Sequence, residues 1–380
     1  MRRRFGRHRR ALTASTRAKH VTGSGRRRRG RAWIVSMILL VALVGCATDP
    51  NGHTTGPTGG VGVVPPAPTE ATSVGGIVGE DSTSTESAAT DPVVADLRAA
   101  GMKGPTGMGL AHMIADGWSI SLHGSPDEVT PALIRGDLDI AAIPANLAAV
   151  LAAKTDHQIQ VFAVTTLGVL SVVERGDSIH AVADLAGRTV VTTGKGSTPQ
   201  HVTEHLLDVA GLSGQVQVEY RSEASEVAAG LVAGLIDLAI LPEPYVSTVL
   251  AKDPGLRVGV DLTEQWASLV PGSQIVSAVL AVRREFVQNR PEAVRQFATA
   301  YANSVEFTNA NPEQAGAEIA AAGIVADPGV AADAIGRSHI VDLTGDAMRG
   351  ALAGYLGVLY EAQPESVGGS MPPPEFYLSL

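Results

Sequence analysis

The chain of 380 residues contains a single cysteine, Cys46, so no intrachain disulfide can staple it. Aromatic residues make up only 4% of it, which makes any aromatic in a loop conspicuous. Acidic residues are missing from residues 1–45, which hold 13 Lys and Arg. The remainder therefore carries 16 basic against 38 acidic residues, a net charge of −22. A body that acidic excludes a nucleic-acid footprint and does not gather anions at long range, so an anion would have to be held by local donors. The apolar stretch from Trp33 to Val44 is shorter than the roughly 20 residues of a membrane-spanning helix. No GxxxxGK[ST] nucleotide loop occurs. No Ser–His–Asp or cysteine nucleophile can be assembled either.

What is present begins with a leader. A basic segment, the apolar stretch and small residues before a cut site form a secretory signal. Leu43-Val44-Gly45-Cys46 resembles the bacterial lipoprotein box, in which the cysteine is lipidated and becomes the new N-terminus. Residues 1–45 are thus expected as signal peptide and Cys46 as the lipidation site. That places the protein at the extracytoplasmic face of the cell membrane. Residues 46–92 are rich in Gly, Pro, Thr and Ser and read as a disordered tether.

The remaining chain suits about two domains, and an internal repeat supports two. Glu128–Pro144 and Glu226–Pro242 match at Glu128/Glu226, Val129/Val227, Leu133/Leu231, Gly136/Gly234, Asp139/Asp237, Ala141/Ala239 and Pro144/Pro242. Each copy reads as a helix, a glycine stop, a short apolar strand and a proline turn. Ser125-Pro126-Asp127-Glu128 predicts a capped helix start. Strands are expected over 93–99, 118–122, 159–165, 167–174, 189–193, 216–220, 256–260 and 275–282. After these the chain is nearly all helical, with helices opening at Pro291, Pro312, Pro328 and Thr344 and packing back on the first sheet. Alternating strands and helices predict an α/β fold with mostly parallel sheets.

Each half also carries a strand-to-helix loop, Lys103-Gly104-Pro105-Thr106-Gly107 and Lys195-Gly196-Ser197-Thr198. Ligands of open α/β sheets bind beyond the carboxyl ends of the strands, where these loops lie. Free N–H groups, hydroxyls and close backbone approach suit a polar or anionic ligand. One such loop alone is equally good helix capping. Asn146, Glu243 and Tyr245 follow the two repeat prolines, and Thr165 and Thr166 end a strand. Tyr245 suits either ligand contact or core packing, and Glu243 either a cationic group or solvent. Asp139 and Asp237 fall at helix-to-strand turns and read as scaffold. His201-Val-Thr-Glu204-His205 matches the zinc-protease pattern H-x-x-E-H. Val202, Leu206 and Val209 form that helix's apolar stripe, so the histidines are expected on a solvated face. No metal or other cofactor is assigned.

The KGPTG segment, the two G-x-x-D-x-A segments with Pro144 and Pro242-Glu243-Pro244, and Asp184-Leu185-x-Gly187-Arg188 carry a resemblance. The chain resembles type II solute-binding proteins of ABC importers, in the family that binds nitrate, sulfonates and thiamine-precursor pyrimidines. The resemblance implies two Rossmann-like lobes with a ligand cleft between them, joined by two crossover strands. Lobe 1 would be residues 93–174 with 278–380, and lobe 2 residues 175–277. The strand-end loops and proline turns make Lys103, Gly104, Pro105, Thr106, Gly107, Asn146, Thr165, Thr166, Gly196, Ser197, Thr198, Glu243 and Tyr245 the expected ligand contacts of that cleft. The resemblance also implies a monomer that binds a small molecule without turnover and partners a permease and its ATPase. Two other readings stay open: an extracytoplasmic, metal-dependent enzyme on this fold, and a binding protein that serves as a stand-alone sensor.

Overall fold

The helix of the first repeat shows how closely local chemistry dictates this chain. In the computed structural model, which describes residues 96–380, Pro126–Arg135 is helical. Ser125 accepts from the Asp127 N–H at 3.3 Å, and Glu128 reaches back to the Ser125 N–H at 3.2 Å, closing a capping box. Gly136 stops the helix at φ +82°, a left-handed conformation that L side chains resist. Cys46, the leader and the tether lie outside the described residues.

Eleven strands follow one another among the described residues: β1 (Ala99–Met102), β2 (Ile120–His123), β3 (Ile140–Pro144), β4 (Ile159–Leu167), β5 (Leu170–Arg175), β6 (Thr189–Thr193), β7 (Gln217–Arg221), β8 (Leu238–Pro242), β9 (Leu256–Asp261), β10 (Val276–Arg283) and β11 (Ile340–Leu343). They form two sheets, ordered β11-β4-β10-β3-β1-β2 and β7-β6-β8-β5-β9. The orders are equivalent: β1, β2 and β3 occupy the places of β6, β7 and β8. Counted from β2 and from β7, the fourth strand of each order, β10 beside β3 and β5 beside β8, arrives from the other sheet. The chain leaves the first sheet after β4, crosses at Gly168-Val169 and enters the second as β5. It returns after β9 through the helix Leu262–Leu269 and enters the first sheet as β10.

These two crossings change the expected strand direction. β1 is parallel to β2 and β3, and β6 to β7 and β8. β10 runs antiparallel to β3 and β4, and β5 antiparallel to β8 and β9. The sheets are therefore mixed rather than mostly parallel, because a strand arriving from the other sheet enters from the opposite end.

The first strand also begins later than expected, at Ala99 instead of near 93. Arg98 turns aside to Asp139, with Nη2–Oδ1 at 2.6 Å and Nε–Oδ2 at 2.9 Å. Asp139 is 2% exposed and also accepts from the Arg98 N–H. Its counterpart Asp237 is exposed, 3.8 Å from Arg175 Nε. Both aspartates thus meet an arginine at the helix-to-strand turn, away from the carboxyl ends of the strands.

The C-terminal region is not wholly helical, because β11 joins the first sheet beside β4. Helix Pro291–Ala310 buries Val294, Phe297, Tyr301 and Val305. Helix Gly345–Ala362 covers β4 and β10 and continues to the second sheet's helices. There Tyr355 meets Trp266 with ring centroids 5.7 Å apart, and both are fully buried. Such a pair contributes about 0.5–1.5 kcal/mol beyond its area. One hydrophobic core therefore runs continuously under both sheets. No helix among the described residues is long and apolar enough to cross a membrane.

Candidate functional site

Equivalent strand order places the carboxyl ends of β1 and β3 opposite those of β6 and β8, and the loops that leave them touch. Gly104 opens the short helix Pro105–Met108 at φ +105°, and a Cβ there would lie 3.7 Å from the Tyr245 ring. Gly124, after β2, faces Glu223, after β7: a Cβ on it would lie 2.7 Å from the carboxyl carbon. Asn146 donates through Nδ2 to Gly196 O at 3.1 Å and to Ser366 O at 3.2 Å. Both partners are carbonyls and can only accept, so the amide orientation is fixed by chemistry. Thr198 Oγ1 donates to Ser277 O on β10 at 3.2 Å.

The residues singled out in the sequence divide into two groups. Gly104, Tyr245, Asn146, Gly196 and Thr198 are brought to these meeting points. Thr165 and Thr166 end β4 fully buried, and neither hydroxyl has a partner. Thr166 pairs with Ala278 on β10, and Ala278 with Pro144, so the threonines share one sheet end with the Asn146 turn. Pro105, Thr106 and Gly107 are buried in the short helix. Lys103 is exposed, its N–H bonded to His123 O at 2.7 Å. Ser197 stands at the N-cap of helix Thr198–Val209 but does not cap it: its hydroxyl turns back to Gly194 O at 2.8 Å.

Glu243 is the residue placed most differently from expectation. It is 3% exposed, so it does not sit in solvent. One carboxylate oxygen accepts from Ser247 N at 3.1 Å and Ser247 Oγ at 2.7 Å, and the other from Arg337 Nε at 2.9 Å. Its acceptors are spent on the protein, leaving little for a cationic ligand. Tyr245, two residues on, has its phenol pKa raised by burial and by the nearby Glu223 carboxylate, so it stays a neutral donor.

Several groups at this end of the sheets escaped sequence reasoning. Ser277 Oγ is buried without a partner, as is Asn146 Oδ1. A lone hydroxyl inside the apolar run 275–282 was the available signal for Ser277. Glu223, Arg337 and Ser366 carry no local signal, because their roles depend on chain segments 90 or more residues away.

The histidine pair does not lie on a solvated face. His201 is 9% exposed, and His205 packs against Trp266 with centroids 5.1 Å apart. Burial lowers both imidazole pKa values, keeping the rings neutral. Val202 and Leu206 are buried as expected, but the face with the histidines is buried as well, and Val209 is left 45% exposed. The physical cause is helix Gly345–Ala362, which covers the face that the stripe alone would leave to water. Among the described residues no group of three or more His, Cys, Asp or Glu could hold a metal ion.

A two-sheet α/β protein with paired strand-end loops facing each other has the fold of type II periplasmic binding proteins. The chain belongs to the NMT1/THI5 like family, whose sequence pattern matches residues 124–315. No curated protein matches it in sequence. Among solved structures it is similar to an ABC transporter protein from Parabacteroides distasonis, with 24% identity, a TM-score of 0.62, and 74% of this chain and 98% of that one covered. It is also similar to the periplasmic aliphatic sulphonate binding protein SsuA from Escherichia coli, at 20% identity and a TM-score of 0.57, over 74% and 93% of the two chains. The periplasmic nitrate-binding protein NrtA from Synechocystis PCC 6803 matches at 12% identity and a TM-score of 0.51, over 66% of this chain and 74% of that one.

Proposed function

We propose that this protein is the solute-binding component of an ABC importer, capturing a small polar or anionic solute between two lobes. The lobes are the bodies built on the two sheets, divided at Gly168-Val169 and again before β10, so that β5 falls in the second and Ser277 in the first. The observation that carries this reading is the set of buried polar atoms without protein partners at one sheet end: Asn146 Oδ1, Thr165 Oγ1, Thr166 Oγ1 and Ser277 Oγ. A buried polar group left unpaired costs about 1–3 kcal/mol, and a bound polar ligand removes that cost. The loop Gly196 to Thr198 meets them from the second sheet, Gly196 O accepting from Asn146 and Thr198 donating to Ser277 O. The names of the similar structures, which include sulphonate- and nitrate-binding proteins, support the same class of ligand. In this reading Cys46 carries the lipid anchor, residues 46–92 tether the monomer at the outer membrane face, and a permease with its ATPase receives the solute.

Thermal-shift screening tests the reading, with sulfonates, nitrate, pyrimidines and flavins as the first panel. One class should raise the melting temperature in proportion to ligand excess. Thr166→Val and Ser277→Ala should abolish that rise while leaving the apo melting temperature within a few degrees. If no compound shifts melting, or the shift survives both substitutions, the cleft is not the site. Incorporation of an alkyne fatty acid that is lost in Cys46→Ala tests the anchor.

A further inference from the structure

The stretch Arg337-Ser338-His339 lies beyond the family match, which ends at residue 315. Each of its three side chains reaches a different part of the proposed cleft. Arg337 Nε donates to buried Glu243 at 2.9 Å, and its Nη2 contacts Ser247 Oγ, so it grips the turn that carries Tyr245. Ser338 is fully buried: its hydroxyl donates to Ala334 O at 2.8 Å, and the same oxygen lies 3.5 Å from Met108 Sδ, at the end of the helix that Gly104 opens. His339 Nδ1 is bonded to Gly168 O, in the crossing between β4 and β5, and must donate because a carbonyl only accepts. Leu167 N in turn donates to His339 O at 3.2 Å. His339 holds φ at +42°, an uncommon conformation outside glycine.

The elements behind this stretch belong to the first sheet. Helix Pro328–Ile335 buries Ala331, Ala334 and Ile335 in the core that includes Phe162 and Leu280, and β11 pairs with β4. Glu243 follows β8, in the second sheet. The Arg337–Glu243 pair is therefore a bond between the two bodies, and its other end is tied to the strand crossing about which they would turn.

We infer that Arg337, Ser338 and His339 form a closure clasp: Arg337 is a positioning residue that holds the Tyr245 turn against the Gly104 loop, and His339 ties that hold to the Gly168 crossing. The inference builds on the cleft reading given above but concerns the protein without ligand. An ion pair with one partner buried and the other, Arg337, 56% exposed is strong enough to hold a loop and open enough to release it.

Hydrogen–deuterium exchange of the full chain without ligand tests it, read at the Ser247 and Leu167 amides, with Val190 on β6 as a remote control. Arg337→Ala should speed exchange at both Ser247 and Leu167 by about tenfold or more and leave Val190 unchanged. Arg337→Lys should restore part of the protection, and high salt should weaken it in the wild type. Glu243→Gln keeps an acceptor for Ser247 but removes the charge, and should give the same pattern should Arg337→Ala fold poorly. Unchanged exchange at Ser247, a change at Ser247 without one at Leu167, or equal acceleration at Val190 would each overturn the clasp. Because no ligand is used, a failed ligand screen leaves the clasp standing, and a failed clasp leaves solute binding standing.

Discussion

Asn146 offers the sharpest test of how the two sheets are fastened. It is fully buried, and its amide N–H₂ donates to Gly196 O and Ser366 O at 3.1 and 3.2 Å. Asn146→Ala removes both bonds. At about 1 kcal/mol net for each, the loss is about 2 kcal/mol. For the folded region over residues 96–380, at about 2.1 cal/mol/K of unfolding entropy per residue, that corresponds to a fall in melting temperature of roughly 3–4 °C. Asn146→Asp has the same shape but turns an acceptor toward two acceptors. A buried carboxylate facing two carbonyls should destabilise by at least about 2 kcal/mol more than alanine at pH 7. The excess should shrink in acid, where the protonated carboxyl supplies one donor. Urea titrations of both variants at pH 7 and pH 5, followed by circular dichroism, read these values. If Asn146→Asp is no less stable than Asn146→Ala at pH 7, the N–H₂ does not bridge these carbonyls. Asn146 would then not fasten the two sheets through Gly196.

Other consequences follow from groups outside that contact. Burial opposes ionisation of Glu174, but the Ile179 N–H, the Ser178 hydroxyl and N–H, and Arg257 outweigh it and hold the carboxyl below its usual range. Its stabilisation is therefore complete above the unfolded pKa of about 4.3 and lost as pH falls through the folded pKa. Glu174→Gln should cost about 3 kcal/mol at pH 7 and flatten the acid limb of a stability-versus-pH curve. His201 and His205 have folded pKa values lowered by burial, so the unfolded state takes up protons first, and stability should drop as pH falls below about 6.5. Melting temperatures at pH 7.5 and 5.5 should converge in a His201→Asn/His205→Asn variant relative to wild type. Gly136→Ala forces a side chain into φ +82° with the Arg283 guanidinium 2.7 Å from its Cβ, and should cost about 1–2 kcal/mol by urea midpoint. Gly350→Ala, in an open helical position, should instead stabilise by about 0.5–1 kcal/mol.

What could be read from residues alone was local. The capping box at Ser125, the left-handed stop at Gly136 and the apolar periods of β6 and β8 are written in neighbouring residues, and they folded accordingly. Repetition of those signals at Glu226–Pro242 went further, since two copies of one local pattern imply two equivalent sheets. The histidine helix shows where this reasoning stopped. Its stripe was correctly apolar at Val202 and Leu206, yet a second buried face was required once Gly345–Ala362 packed against it.

By itself, then, the sequence determined the two-body α/β plan and the placement of glycine-rich loops at strand ends, because short-range sterics and hydrophobic period act within one element. Strand direction was decided by tertiary structure, since β5 and β10 owe their antiparallel sense to arriving from the opposite sheet. So was the fate of Glu243, whose choice between solvent and protein depended on an arginine 94 residues away. A charge at a strand end can serve a ligand, water or another chain segment with equal local logic. Only the packing of the C-terminal segment determined which partner it met.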